Sequence, residues 1–163
     1  MYKRDFEKTF KERTGSNHRD LAQSKVDEYF KDREDLFYMR IGFDELDNKV
    51  LSKYWMCFPV FLRNLPDACV VKDGFFYFVE VKGCRDYLRL KLEDMESYDK
   101  WDVIAPIVIF TYSSMTRELK KINYKKLKKI TIDCDREKYK DNKKWYYKIP
   151  WEYIERMKWV NSR

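Results

Sequence analysis

Two carboxylates and a lysine stand close together in the stretch NLPDACVVKDGFFYFVEVKGC, residues 64–84. Asp67 follows Pro66, and Glu80 and Lys82 lie one residue apart at the end of an aromatic run. Apolar strands normally shed charge, so these three groups are either surface decoration or parts of one site. Two carboxylates can hold Mg²⁺ or Mn²⁺, hard cations that take oxygen ligands and keep several waters. The peptide carbonyl of Val81, between the two side chains, is a further oxygen. A metal held in this way lowers the pKa of a bound water and neutralises charge that builds on a phosphate. A lysine beside it orients the attacking water and stabilises the developing anion. The set therefore suits phosphodiester hydrolysis. Singly, each residue has a plainer account: Asp67 as a turn residue after Pro66, Glu80 and Lys82 as a surface ion pair. The joint role is favoured because the acids end apolar strands rather than facing loops, and Gly83 frees the backbone after the lysine.

The elements that must position these groups can be read from periodicity. ACVV (68–71), KDG (72–74) and FFYFVEV (75–81) form a β-hairpin pattern, since Asp-Gly between two apolar runs is a strong turn signal. Side chains alternate along a strand, so Phe76, Phe78, Glu80 and Lys82 share one face while Val79 and Val81 take the other. Pairing across Asp73-Gly74 brings Asp67 to the same end as Glu80 and Lys82. Upstream, a short helix is expected over 1–13, with Phe6 and Phe10 at helical spacing, and Gly15-Ser16-Asn17 supplies a break. A helix over 17–33 carries Ala22, Val26, Tyr29, Phe30 and Arg33 on one face. LFYMRIGF (36–43) is a strand, closed by the polar 44–48. Segment 49–63 begins in a helical pattern, but Pro59 points to an extended end. Downstream, 88–101 is helical in composition, with Leu88, Leu92, Met95 and Trp101 inward, and 106–112 reads as a buried central strand. A further helix is expected within 114–127, strands at 129–134 and 144–149, and a terminal helix starting at Pro150. This order describes an α/β fold with a central mixed sheet flanked by helices.

The 163 residues suit one domain, 1–163, and 44% hydrophobic with 18% aromatic residues can fill a large core although 39% are charged. The net charge of +7 is unevenly spread. Residues 113–163 hold 16 Lys/Arg against 7 Asp/Glu, whereas 1–112 hold 19 against 21. YKKLKK (124–129) and KKWYYK (143–148) interleave cations with aromatics, as a phosphate-facing surface would. Lys125, Lys126, Lys128, Lys129, Lys143 and Lys144 are therefore candidate nucleic-acid contacts, with Trp145, Tyr146 and Tyr147 as stacking surfaces. A lysine-rich solvated face and aromatic core filling are the competing accounts. The four cysteines at 57, 69, 84 and 134 form no CxxC pair, which argues against a zinc site, and Cys57 and Cys69 have the neighbours of small buried hydrophobes. No N-terminal segment suits a signal peptide and no run reaches membrane-spanning length, so a cytoplasmic protein with reduced thiols is expected.

Pro66-Asp67, twelve intervening residues and then Glu80-Val81-Lys82 resemble the motif of the PD-(D/E)XK nuclease superfamily, which includes restriction-endonuclease-like and Holliday-junction-resolvase-like enzymes. The inferred order of elements also resembles the α-β-β-β-α-β core of that superfamily. The likeness covers residues 15–112, with the basic 113–163 as an accessory C-terminal extension. It implies an Mg²⁺- or Mn²⁺-dependent deoxyribonuclease, an endonuclease before an exonuclease, in DNA processing, repair or recombination. Asp67 and Glu80, with the Val81 carbonyl, would hold the metal, and Lys82 would assist the nucleophile. The likeness further implies an acidic residue on the first helix. Glu28 is assigned that role, although it and Asp27 lie off the apolar face and the better-placed Gln23 is uncharged. RecB-like members carry a Gln and a Tyr four positions apart on the helix after the lysine; that spacing falls here on Asp94 and Tyr98, with Asp in place of Gln. Tyr98 and, on the same segment, Lys91 are candidate substrate contacts. His18 only loosely resembles the histidine that some of these members carry. DNA is the implied partner, and a homodimer is implied because small nucleases of this type commonly act as dimers. The composition also resembles that of phage-encoded DNA-processing proteins, whose place would be the host-cell cytoplasm. An RNA-cleaving enzyme and a catalytically silent nucleic-acid- or protein-binding module stay open, although an intact Asp67, Glu80 and Lys82 speaks against the latter.

Overall fold

The computed structural model describes residues 17–42 and 54–155. The expected helix over 1–13, the polar segment 44–48 and the start of 49–63 lie outside the described residues, as does the side chain of His18. Helix α1 (Asn17–Lys31) buries Ala22, Val26 and Phe30, the face that the sequence pattern marks. Strand β1 (Leu36–Arg40) follows, then a 3₁₀ turn (Trp55–Cys57) and the short helix α2 (Val60–Arg63). The extended end expected for 49–63 is thus replaced by a helical turn. Pro59 is its N-cap, where a missing N–H breaks no helical hydrogen bond.

Strands β2 (Ala68–Lys72) and β3 (Phe75–Cys84) form the expected hairpin. Its turn residues Asp73 and Gly74 have φ of 51° and 78°, the paired positive values that favour Asp-Gly. Strand β4 (Tyr87–Lys91) and helix α3 (Leu92–Ile104) come next. The helix expected over 88–101 therefore starts late: Leu88 and Leu90 are buried on either side of exposed Arg89, a period of two. Strand β5 (Ile107–Ser113) is the buried strand expected over 106–112. Strand β6 (Glu118–Asn123) and helix α4 (Tyr124–Ile130) divide the segment where a helix alone is expected. Residues 129–134 end α4 and turn through a 3₁₀ segment (Thr131–Asp133) instead of forming a strand; the Thr131 hydroxyl donates to the Lys128 carbonyl at 2.7 Å and favours the turn. Strands β7 (Arg136–Lys138) and β8 (Trp145–Pro150) and helix α5 (Trp151–Glu155) complete the described chain.

The central sheet is mixed and runs β1-β2-β3-β5-β6, with β3 and β5 parallel and the other pairs antiparallel. A second, antiparallel sheet runs β4-β8-β7. On one face of the central sheet, α1 packs on Ala68, Val70, Val79, Val81 and Phe110. On the other face, Phe78 and Ile109 share a larger core with α3, α4, α5 and the inner side of the second sheet. The α-β-β-β-α-β order is present in α1, β1, β2, β3, α3 and β5. The basic third is built into this architecture: β6 extends the central sheet, and Tyr124, Leu127, Ile149 and Trp151 lie in the same core as Phe78 and Tyr98. Among the described residues no helix is long and apolar enough to cross a membrane.

All four cysteines are free thiols. Cys69 is buried as expected, but Cys57 is exposed because its 3₁₀ turn buries no residue. Burial raises the thiol pKa of Cys69, Cys84 and Cys134, that of Cys84 to about 12. Since the thiolate is the reactive form, iodoacetamide at neutral pH should modify Cys57 well ahead of the other three in the folded chain; mass-mapped labelling at equal rates would contradict this burial. Leu127 is fully buried, so Leu127→Ala should cost about 2–5 kcal/mol within a single urea transition. Two separate transitions would show that the C-terminal third folds apart from the sheet.

Candidate active site

Asp67 is clamped at the start of β2. Its backbone carbonyl accepts the Ile41 and Gly42 amides at 3.0 and 3.1 Å. Gly42 makes this approach close, since a Cβ at that position would stand 3.3 Å from the Asp67 Cα and the backbone would have to shift slightly. The carboxylate Oδ2 accepts the Val81 N–H at 2.7 Å. The last pair of the hairpin is Ala68–Val79, so Asp67 stands one step further on, opposite Glu80 and on its face.

Glu80 is only 7% exposed and is held from two sides. The Tyr98 hydroxyl, on α3, donates to Oε1 at 2.7 Å, and the Lys82 ammonium lies 2.9 Å from the same oxygen. Lys82 reaches Asp94, one turn before Tyr98, at 2.9 Å, and lies over the Tyr98 ring at 5.5 Å. Burial works against the lysine charge, but Asp94 and Glu80 outweigh it and hold the ammonium pKa well above its ordinary value. Burial, followed by the Glu80 charge, pushes the Tyr98 hydroxyl well up, so it stays a donor at neutral pH. The strand alternation read from the sequence holds: Val79 and Val81 enter the core under α1, while Phe78 shares the opposite core with Tyr98.

Asp67, Glu80, Lys82, Asp94 and Tyr98 line one broad cleft between the end of the central sheet and the second sheet. Asp67, Glu80 and Asp94 gather carboxylate oxygens around Lys82, the donor type that a hard divalent cation takes. Among the described residues no cluster of three or more His, Cys, Asp or Glu could form an all-protein cage. A magnesium-like ion needs one or two carboxylates and keeps the rest of its shell as water and phosphate, so Asp67 and Glu80 fit it.

The other expected site residues divide. Val81 lines the cleft, and its N–H is what binds Asp67. Lys91, Tyr98 and Lys144 line the cleft too, Lys144 paired with Glu93. Glu28 does not: it is exposed and paired with Lys25 at 2.6 Å, because α1 covers the sheet face away from Glu80. Asp27 accepts from Tyr38 and Gln23 at 2.6 and 3.0 Å and faces Arg40 at 3.5 Å. The α4 lysines lie outside the cleft lining, as does Lys143. Lys125 pairs with Asp102 and Lys128 with Asp99 on α3, while Lys126 and Lys129 are exposed. Of the expected stacking residues, Trp145 is exposed, Tyr146 is buried and Tyr147 packs on the core. The sequence reading assigned no role to Asp94 as the partner of Lys82, although its four-residue offset from Tyr98 places both on one helix face.

Tyr98→Phe removes a donor from a buried carboxylate. It should lower stability by about 1–3 kcal/mol, read from urea midpoints, and the loss should vanish in a Glu80→Leu background, which offers the hydroxyl no acceptor. An undiminished loss there would mean that Tyr98 acts through packing alone.

A scan against protein-family models finds no match, and neither does a comparison with curated proteins. Among solved structures, the chain is similar to D212, a nuclease from a fusselovirus, at 15% identity and a TM-score of 0.42, over 82% of this chain and 77% of that one. It is also similar to Hjc, a Holliday junction resolvase from the archaeal hyperthermophile Archaeoglobus fulgidus, at 11% identity and a TM-score of 0.49, over 83% of this chain and 89% of that one.

Proposed function

We propose that this chain is a metal-dependent nuclease that hydrolyses DNA phosphodiester bonds, cutting within strands. The observation that carries the reading is the meeting of Asp67, Glu80 and Lys82 in one cleft, with Asp94 and Tyr98 fixing the lysine and the glutamate. Asp67 and Glu80 would hold Mg²⁺ or Mn²⁺, which when bound supplies an activated water and charge neutralisation at the phosphate. Lys82, charged between its carboxylates, donates hydrogen bonds and so orients an oxygen nucleophile or a phosphate oxygen. Its two short contacts hold the ammonium in place, so little reorganisation is needed when a substrate arrives. The motif 66–82 and the order of elements around it support the superfamily reading. Free thiols suit a cytoplasmic setting, and a homodimer would give two sites for two strands.

The test is an incubation of the purified chain with linear duplex, single-stranded and branched DNA and with RNA, in Mg²⁺, in Mn²⁺ and in chelator. Cleavage of DNA should require metal and fall at least about a hundredfold in Lys82→Ala and in Asp67→Ala. Cleavage that survives in both variants would remove these residues from the site. Absence of cleavage on every substrate would favour a binding module on the same fold, and cleavage confined to RNA would change the substrate class.

A further inference from the structure

The outward side of the second sheet bears a cluster of which the sequence pattern marks, among the cations, Lys91 alone as a substrate contact. Alternation along β4 turns Leu88 and Leu90 into the core and Tyr87, Arg89 and Lys91 outward. Arg89 pairs in register with Lys148 and Lys91 with Tyr146, so these side chains share that outward face. Arg89 sits among tyrosines: its guanidinium lies 5.3 Å from the Tyr87 ring and 5.6 Å from both Tyr139 and Tyr146. Lys91 lies 5.9 Å from the Tyr139 ring.

Two features distinguish this face from the lysine-rich helix α4. Lys148 is paired with Glu137, but among the described residues neither Arg89 nor Lys91 has a carboxylate at ion-pair distance. The side-chain hydrogen bond of Arg89 goes to the Tyr87 hydroxyl at 2.8 Å, and its remaining N–H groups stay open to an acceptor. The second feature is position. Tyr87, Arg89, Lys91 and Tyr139 line the same cleft as Asp67, Glu80 and Lys82. The row ends at Lys91, three residues before Asp94, so it leads away from the carboxylates along β4. Residues two apart on a strand stand about 6.6 Å apart, comparable to neighbouring phosphates along a nucleic-acid strand. Lys125 and Lys128, by contrast, are paired with α3 carboxylates.

We propose that the outward face of the second sheet is the track for the polynucleotide backbone next to the scissile phosphate, with Arg89 and Lys91 each taking one phosphate. The inference rests on the nuclease reading for what happens at the carboxylates, but the track itself is defined by charge and register. The tyrosine rings hold the guanidinium as a presented, planar donor to phosphate oxygens. The recognised chemistry is the phosphodiester backbone, which single-stranded DNA, duplex DNA and RNA all carry.

The experiment is fluorescence anisotropy in chelator, across a salt series, with a fluorescein-labelled oligothymidylate, with the same strand annealed to its complement, and with oligouridylate. Arg89→Gln with Lys91→Gln should weaken binding at least about tenfold at low salt. The slope of log affinity against log salt should fall by about 1.4 on a single strand or about 1.8 on duplex. Arg89→Lys with Lys91→Arg, which keeps both charges, should retain the slope, and replacing Lys125, Lys126, Lys128 and Lys129 by Gln should leave it unchanged. The preferred probe identifies the form of strand on the track. An unchanged slope in the Gln pair, an equal loss in the charge-keeping pair, or a loss that moves to the α4 variant would each overturn the track. Because chelator silences metal-dependent cleavage, the two readings separate. A chain that binds through Arg89 and Lys91 but cuts nothing in Mg²⁺ or Mn²⁺ keeps the track and loses the nuclease. A chain that cuts but binds elsewhere does the reverse.

Discussion

A carboxylate that is 7% exposed on the inner face of a sheet cannot stand without partners, and the satisfaction of Glu80 governs much of what surrounds it. It takes the Tyr98 hydroxyl from α3 and the Lys82 ammonium from its own strand, and Lys82 in turn takes Asp94 from α3. Asp94 and Tyr98 lie one turn apart, so a single rotation of the helix presents the first to Lys82 and the second to Glu80. The constraint then propagates. The Tyr98 ring meets Tyr124 edge-on at 5.4 Å, and the Tyr124 hydroxyl donates to the Met95 carbonyl at 3.0 Å. Helix α4 is thereby tied to the helix that satisfies the glutamate, and the polar site and the apolar core share one set of contacts.

Strand β3 makes this compatible with stability. It is the middle strand of the central sheet, and its period-two alternation sends Val79 and Val81 into the core under α1 while Phe78, Glu80 and Lys82 take the opposite side. Phe78 packs with Trp101 at 5.4 Å, so the same face that carries the charges is anchored by aromatic contact before they begin. Asp67 is brought to Glu80 by the hairpin register, which the two positive φ values at Asp73 and Gly74 fix. A slip of one residue would turn Ala68 and Val70 away from α1 and put Cys69 and Val71 in their place, so turn and apolar pattern enforce the same pairing.

The parts of this arrangement that depend on local sequence were legible. The hairpin, the faces of β3 and the convergence of Asp67, Glu80 and Lys82 follow from a turn dipeptide and alternation. What escaped was set by tertiary partners. Leu88 fits both a helix with Leu92 and Met95 and a strand with Leu90, and pairing with β8 decides for the strand. Pro59 reads in sequence as a helix breaker and serves here as a helix start, a role that only the following turn reveals. Glu28 answers to the first-helix acid that the resemblance implies, and the helix that carries it covers the sheet face away from Glu80. Counting lysines pointed to α4, yet two of its charges are spent on Asp99 and Asp102, residues distant in sequence.

That last difference bears on how a phosphate could approach at all. At the centre of the cleft Asp67, Glu80 and Asp94 stand around Lys82, and the lysine is already shared between two of those carboxylates. The carboxylates there repel a polyanion unless a divalent cation offsets their charge. Long-range attraction must then come from cations outside such pairs, and among the described residues those lining the cleft are Arg63, Arg85 and the β4 pair Arg89 and Lys91, none of them on the most lysine-rich segment. The separation is physically economical. Groups that need fixed positions are bound to one another in a buried cluster, whereas groups that need only to attract are left on an outward strand face. Net charge therefore describes the chain poorly as a binding surface: the +7 total is a sum over paired and unpaired cations, and only the unpaired ones near the carboxylates can act on a strand lying there.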